Sequence, residues 1–360
     1  MKKIMIFPYH PDIEVLEQHK NALVDYRILG VVSYREDNNR IQSINAKFNK
    51  DILSYEQLID ACDAVVILDN YRNYKTDKYY QIIQDSLDRH KEVLITPYAK
   101  TQLMLDDYKG RYNLLENTLP IFSSPDSVSA EMLTPRKYNI KASIIAVLGQ
   151  GMHCEKFQYQ LITKSILDKN YKVECISSNA LGTLFGCHTI PSFFYNEYSF
   201  MTKIILYNHY IANLERLNHP DIILVGIPEG ITPFSKIEYH HFSEYPLIIS
   251  KAVSIYMGLF CRYFISGQIQ NYGIQNTVDY CMNKFGIPVV ATAISKTLYE
   301  VPIEDTEKII YEFLNFSDVD EFPINTTEVK LPIITPQQRK NAKIIIEDCL
   351  QILKNNVKGL

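Results

Sequence analysis

Gly149, Gly151 and Lys156 lie in the run SIIAVLGQGMHCEKFQYQL, where five apolar residues, Ile144 to Leu148, lead straight into a glycine-bearing turn. Helix periodicity follows at Phe157, Leu161, Ile162, Ile166 and Leu167. A buried strand, a tight turn and a helix that opens with exposed N–H groups form the layout that cradles phosphate. With Gly149 as the first position the lysine is the eighth, the spacing of the long phosphate-binding loop, Gly-x5-Gly-Lys-Thr. Two diagnostic positions differ. Glu155 replaces the glycine before the lysine, and Phe157 replaces the hydroxyl that would bind magnesium. A carboxylate there directs negative charge at a polyphosphate, and a phenyl ring ligates no metal. The spacing predicts a phosphate-loop architecture, with ATP or another nucleotide as the candidate ligand and Mg²⁺-dependent hydrolysis disfavoured. The plainer reading is a strand-to-helix turn that needs glycine for backbone reasons alone.

Other groups are placed less sharply. In phosphate-loop proteins the strand ending beside the loop delivers an acidic residue towards the metal. Here DIILVG runs into Ile227-Pro228-Glu229-Gly230, which makes Glu229 the candidate. His10, Asp12 and Asp69 follow apolar strands near the N-terminus and are weaker site candidates. Asp12 reads more readily as a helix N-cap. His153-Cys154 and Cys187-His188 follow two strands of the second half, but their spacing matches no metal motif, so no metal site is expected. Cys154 beside Lys156 at a helix start would have a lowered pKa, although Glu155 opposes this. His240-His241 has no evident orienting partner and reads as a loop feature.

The elements that must position these residues alternate strand and helix. Predicted strands are Lys3 to Phe7, Ile28 to Ser33, Ala64 to Leu68 and Glu92 to Thr96. Predicted helices are Ile13 to Asp25, Ser54 to Ala61 and Tyr79 to Arg89. This alternation gives a parallel sheet covered on both faces, a Rossmann-like domain over residues 1–100. Its first turn, Pro8-Tyr9-His10-Pro11-Asp12, has no glycine and two prolines without N–H groups, which argues against binding NAD or FAD in the usual mode. Residues 101–139 form a polar connecting segment. Residues 140–360 read as a second α/β domain with strands at Lys172 to Ser177, Asp221 to Gly226 and Ile287 to Ala293. Tyr245 to Ser250 reads as a further strand, and Val253 to Ile265 as either strand or helix. Helices are expected at Glu197 to Leu217, Thr277 to Phe285 and Ile303 to Leu314, and after Thr335-Pro336 as N-cap and first turn. The fold class is therefore α/β, a Rossmann-like parallel sheet followed by a P-loop-NTPase-like domain.

A chain of 360 residues, 46% apolar and 22% charged, suits a globular protein with more than one core. A net charge of −4 argues against nucleic acid or an anionic membrane as partner. Seven cysteines, an odd number with no Cys-x-x-Cys pair, point to reduced thiols and a cytoplasmic setting. The opening MKKIMIFPYHPDIE is too short for a signal peptide, and no run of about twenty apolar residues would span a bilayer. Twenty-six tyrosines with no tryptophan are unusual, but tyrosine also fills half-buried positions well.

The segments VLGQGMHCEKF and DIILVGIPEG resemble the phosphate-loop fold of dethiobiotin synthetase. The domain order is also similar to bacterial proteins described only as domains of unknown function. Over its whole length, through KKIMIFPYHPDIE, IIAVLGQGMHCEKFQYQL and HPDIILVGIPEGI, the chain most resembles the peptide maturation system proteins. Those are encoded beside small Cys-rich ribosomal peptides and a radical S-adenosylmethionine maturase. The resemblance implies an accessory role in natural-product (bacteriocin-type) peptide maturation, with the precursor peptide and the maturase as partners. Gly149 and Lys156 carry over onto diagnostic loop positions, and Gly151 falls in the variable stretch between them. An active nucleotide-dependent ligase or kinase is the alternative, and a non-enzymatic scaffold is the third.

Overall fold

The computed structural model describes all residues except 35–38, 50–53, 70–74, 123–133, 135, 232–242, 266–272, 301–308, 315–330, 337, 339–340 and 358–360. The chain divides into two compact units, Met1–Asn117 with Ala180–Thr189, and Thr118–Asn179 with Ile190–Leu360.

In the first unit, β1 (Lys2–Phe7), α1 (Ile13–Gln18), β2 (Tyr26–Val31), α2 (Asn39–Phe48) and α3 (Tyr55–Ala61) precede β3 (Ala64–Ile67). Then come α4 (Asp77–Asp88), β4 (Glu92–Ile95), α5 (Pro97–Gln102) and the two-residue β5 (Asn113–Leu114). The strands form a parallel sheet in the order β2-β1-β3-β4-β5. β3 is buried along its whole length, which is why its sequence, AVVI, is apolar without alternation. Ser54 caps α3 in a reciprocal capping box with Gln57. Leu58, Ile59, Tyr79, Ile82 and Ile83 from the helices close over Met5, Phe7, Val65 and Ile67.

The chain continues with β6 (Ser143–Gly149), α6 (Lys156–Leu167), β7 (Val173–Ser177), β8 (His188–Thr189), α7 (Phe200–Asn218) and β9 (Ile222–Gly226). After them come α8 (Glu244–Ala252), β10 (Met257–Arg262), α9 (Ile274–Tyr280), β11 (Val289–Ile294), β12 (Thr297–Glu300), β13 (Ile310–Phe313), β14 (Ile333–Ile334) and a last helix, Ala342–Val357. The longer strands of the seven-stranded sheet run β11-β10-β6-β9-β7, each pair parallel. β6 is thus central, with β10 on one side and β9 on the other. The β12–β13 pair is a separate antiparallel hairpin with Tyr299 opposite Tyr311. α6 is buried on nearly every face, which explains why its polar Gln158, Gln160 and Thr163 are inside as well.

Several sequence expectations need correction. Tyr245 to Ser250 is helix, not strand: Pro246 falls in the first turn, where its missing N–H costs nothing, and Tyr245, Ile248, Ile249 and Ala252 are buried at helical spacing. Ile310–Phe313 is a strand, not the end of a helix from Ile303, its pairing with β12 having overridden local propensity. The earlier part of that helix, 303–308, lies outside the described residues, as does His240-His241. α1 stops at Gln18 and does not reach Asp25, because only Ile13, Val15 and Leu16 of it are buried. The last helix starts at Ala342; Thr335 Oγ1 accepts from the Gln338 amide at 3.2 Å in a separate turn before it.

Candidate functional site

The loop between β6 and α6 is held in place by the strands beside it. The Gln150 amide continues the ladder by donating to the Cys261 carbonyl at 2.8 Å, and the Ile231 amide donates to the Gly149 carbonyl at 3.1 Å from beyond β9. Gly149 is required by close packing: a Cβ there would lie 2.3 Å from Cys154 Sγ and 2.9 Å from Lys156 Cδ. His153 (φ 56°) and Glu155 (φ 61°) hold the left-handed backbone that glycine adopts without penalty. Glu155 sits at the N-cap of α6 and makes no side-chain capping bond. The position where the phosphate-loop pattern has its second glycine therefore keeps a glycine-like conformation although the residue is glutamate.

Three successive loop carbonyls are occupied. Gly151 O accepts from Cys154 Sγ at 3.0 Å and from Lys156 Nζ at 3.1 Å. Met152 O accepts from the Tyr263 hydroxyl, and His153 O from Thr297 Oγ1 at 2.7 Å. Among the described residues no backbone carbonyl accepts from the amides of Gly151, Met152, Cys154 or Lys156, and the Gly151 and Cys154 amides lie against the Cys154 sulfur instead. That leaves the half-buried Met152 and Lys156 amides, at the opening of α6, without a carbonyl acceptor and placed where an outside acceptor would suit them. Lys156 Nζ also donates to the Glu229 carbonyl, which brings the ammonium to the end of β9.

Glu229 is held at φ 51° and meets Lys156 through its backbone. Its carboxylate acts elsewhere: burial pushes the Tyr245 phenol up, and the charges of Glu229 and Glu244 push it further. Phe157 is buried and offers no metal ligand. Cys154 corrects the expected lowering. Burial pushes its thiol up and outweighs the nearby Lys156, so the sulfur is a packed, hydrogen-bonded group and not a thiolate. Among the described residues no three His, Cys, Asp or Glu side chains gather as a metal site. All seven cysteines are buried, and none is in a disulfide.

The first unit has a second candidate site at its strand ends. The order β2-β1-β3 reverses direction at β1, and ligands of such sheets bind outside the strand ends at that reversal. His10, Asp12 and Asp69 meet there. His10 is buried, with Nδ1 3.3 Å from Asp12 Oδ2 and Nε2 3.8 Å from Asp69 Oδ2. Asp12 occupies the N-cap of α1 but makes no side-chain capping bond, so the cap reading of its carboxylate does not hold. Burial pulls the imidazole pKa down, the two carboxylates more than offset this, and the net shift is upward. Pro8 and Pro11 have no N–H, and the amides of Tyr9 and Asp12 donate within the protein, to Val32 O at 2.9 Å and to His10 Nδ1 at 3.2 Å.

Sequence reasoning missed Tyr263 and Thr297, which brace the loop from 111 and 144 residues away. No spacing rule links residues so far apart. The one available hint was that both follow apolar strands parallel to β6.

No protein-family model matches the chain, and no curated protein does. Among solved structures, a DUF1611 family protein from Anabaena variabilis matches over 98% of this chain and 100% of its own, with a TM-score of 0.59 and 12% identity. The two share a fold over the whole chain. A GTPase from Pyrococcus abyssi, in its apo form, matches over 42% of this chain and 66% of its own, with a TM-score of 0.27 and 14% identity. At that score the likeness carries no argument of its own. Among the described residues no helix is long and apolar enough to cross a membrane.

Proposed function

We propose that the Gly149–Lys156 loop binds a phosphate-bearing ligand, a nucleotide foremost, without efficient Mg²⁺-dependent hydrolysis. The observation that carries this reading is the glycine-bearing turn at the opening of α6, whose Met152 and Lys156 amides meet no carbonyl among the described residues and lie beside the Lys156 ammonium, a combination suited to an anion. Gly149 gives the turn its close approach, Gly151 holds the Lys156 ammonium on its carbonyl and Lys156 supplies the charge. Glu229 sits at the facing strand end and receives Lys156 on its carbonyl. Phe157 removes the hydroxyl that would hold Mg²⁺, and Glu155 adds a negative charge that opposes a polyphosphate. Binding without turnover follows from those two residues.

We further propose that the chain is an accessory protein in the maturation of a ribosomally made Cys-rich peptide, with the precursor peptide and a radical S-adenosylmethionine maturase as partners. The support is the sequence resemblance through the three segments quoted above. Direct titration of the precursor peptide and of the maturase tests this part separately.

The ligand reading is tested by calorimetric titration of ATP, GTP and pyrophosphate, with and without Mg²⁺. The expected result is binding that Mg²⁺ does not strengthen and no phosphate release. Mg²⁺-dependent turnover would select a ligase or kinase instead. Silence with every ligand would favour a scaffold and contradict the anion reading.

A further inference from the structure

We propose that His10 is a proton-operated latch between the β1–α1 turn and the end of β3: neutral, its Nδ1 accepts from the Asp12 amide, and protonated, it leaves that amide and donates to the carboxylates of Asp12 and Asp69. All three residues belong to the first unit, and none of them takes part in the proposed anion loop. The Asp12 amide donates to Nδ1 at 3.2 Å. A ring nitrogen that accepts carries no proton, so the neutral imidazole is the tautomer with its proton on Nε2. The Asp12 carboxylate stands almost as close, with Oδ2 3.3 Å from the same Nδ1, and Asp69 Oδ2 is 3.8 Å from Nε2. Once Nδ1 gains a proton it has no lone pair for the amide, and the Asp12 carboxylate is the acceptor at hand. The contact to Asp69 is at ion-pair distance, and a charged Nε2–H draws it in towards a hydrogen bond.

The backbone around the ring is fixed by bonds that do not involve it. The Tyr9 amide donates to Val32 O at 2.9 Å, the Ile13 amide to His10 O at 2.9 Å, and the Leu68 amide to Phe7 O at 2.7 Å. These hold the turn beside β2 and β3 in either protonation state, so the exchange is confined to the ring and the two aspartates. The Asp12 side chain makes no capping bond to α1, and turning it to the ring costs the helix no cap. Asp12 and Asp69 are the charged groups that act on the imidazole, and together they outweigh the burial that disfavours its cation. His10 is 5% exposed and each ring nitrogen faces a group of the protein, so its proton serves the fold and not a substrate. On the acidic side the imidazolium ties the opening of α1 to the end of β3. On the alkaline side that tie is lost, and the strand end carries the charge of both carboxylates with no imidazolium to offset it.

The test is an NMR titration of the ¹⁵N-labelled full chain from about pH 5 to pH 9, reading both imidazole nitrogens of His10 and the Asp12 amide. His10→Asn assigns the ring signals, and wild type is compared with Asp12→Asn and Asp69→Asn, with a thermal melt of each. At high pH the ring is expected with its proton on Nε2 and the Asp12 amide proton downfield, as a bonded donor. On acidification both nitrogens should move to imidazolium values with a midpoint above 6.5, and the Asp12 amide should move upfield with the same midpoint. Asp69→Asn should shift the midpoint to lower pH and keep the tautomer, and Asp12→Asn should shift it further. Should Asp12→Asn melt early, the wild-type titration and Asp69→Asn decide. A neutral ring with its proton on Nδ1, an Asp12 amide that stays still while the ring titrates, a midpoint unmoved in Asp69→Asn, or no titration of His10 across the range would each overturn the latch. Pyrophosphate binding or its absence bears on none of these outcomes.

Discussion

The two strand-end turns, Pro8–Asp12 after β1 and Gln150–Glu155 after β6, leave interior strands of parallel sheets yet do opposite things with their polar groups. In the first, prolines at 8 and 11 withdraw N–H groups, and side chains take over: His10 lies between Asp12 and Asp69. In the second, side chains are spent on holding the backbone and the backbone itself is left to meet a ligand. Tyr263, Thr297, Cys154 and Lys156 engage the carbonyls, and the Met152 and Lys156 amides are left without a carbonyl acceptor among the described residues. The lesson is that the layered fold brings a turn to the end of an interior strand in either case. Proline or glycine in the turn then decides whether that end offers charges on side chains or N–H groups on the chain.

The comparison breaks most visibly at Lys156. Lys156→Ala removes charge-assisted hydrogen bonds of about 1.5–3 kcal/mol, so nucleotide or pyrophosphate affinity should fall roughly 10-fold to 100-fold by calorimetry. His10→Asn should leave that affinity unchanged. Next comes Gly149→Ala, whose added methyl would meet the buried Cys154 sulfur. A chemical melt should show a loss of about 1–3 kcal/mol, the cost of overpacking. Glu155→Gly should act in the opposite sense. It relieves a left-handed non-glycine residue and removes a carboxylate from the loop, raising stability by up to about 1 kcal/mol and tightening pyrophosphate binding.

The smallest effect belongs to His10 and is one of pH. A folded pKa raised above the ordinary value of 6.5 means that the imidazolium stabilises the fold fully below 6.5. That stabilisation is lost as pH rises through the higher folded value. Denaturant midpoints of wild type against His10→Asn should therefore diverge on the acidic side and converge on the alkaline side. Parallel profiles across that range would remove the charge from the account of the first strand end.

Much of the architecture was legible because both sheets are parallel and buried, so that IIAVL and DIILVG stand out as unbroken apolar runs. The phosphate-loop spacing likewise led from Gly149 to Lys156. What local pattern could not give was anything decided by distant pairing. IYEF became a strand because TLYE lies opposite it, and YPLIIS became a helix that an apolar run alone cannot distinguish from a strand. The Cys154 thiol was misjudged for a related reason: its neighbours in sequence suggested a lowered pKa, while burial in the folded loop raised it. Glu155 shows the converse limit. Its identity argued against a phosphate loop, but its backbone keeps the conformation that the missing glycine would have taken.

The central claim is that the loop binds an anion through its backbone. Amide-detected NMR of the isotope-labelled full chain during pyrophosphate titration tests it most directly. The account predicts saturable shifts at the amides of Met152 and Lys156, the largest in the loop, with residues 8–12 unmoved. Shifts confined to surface lysines, or none at those two amides, would contradict it.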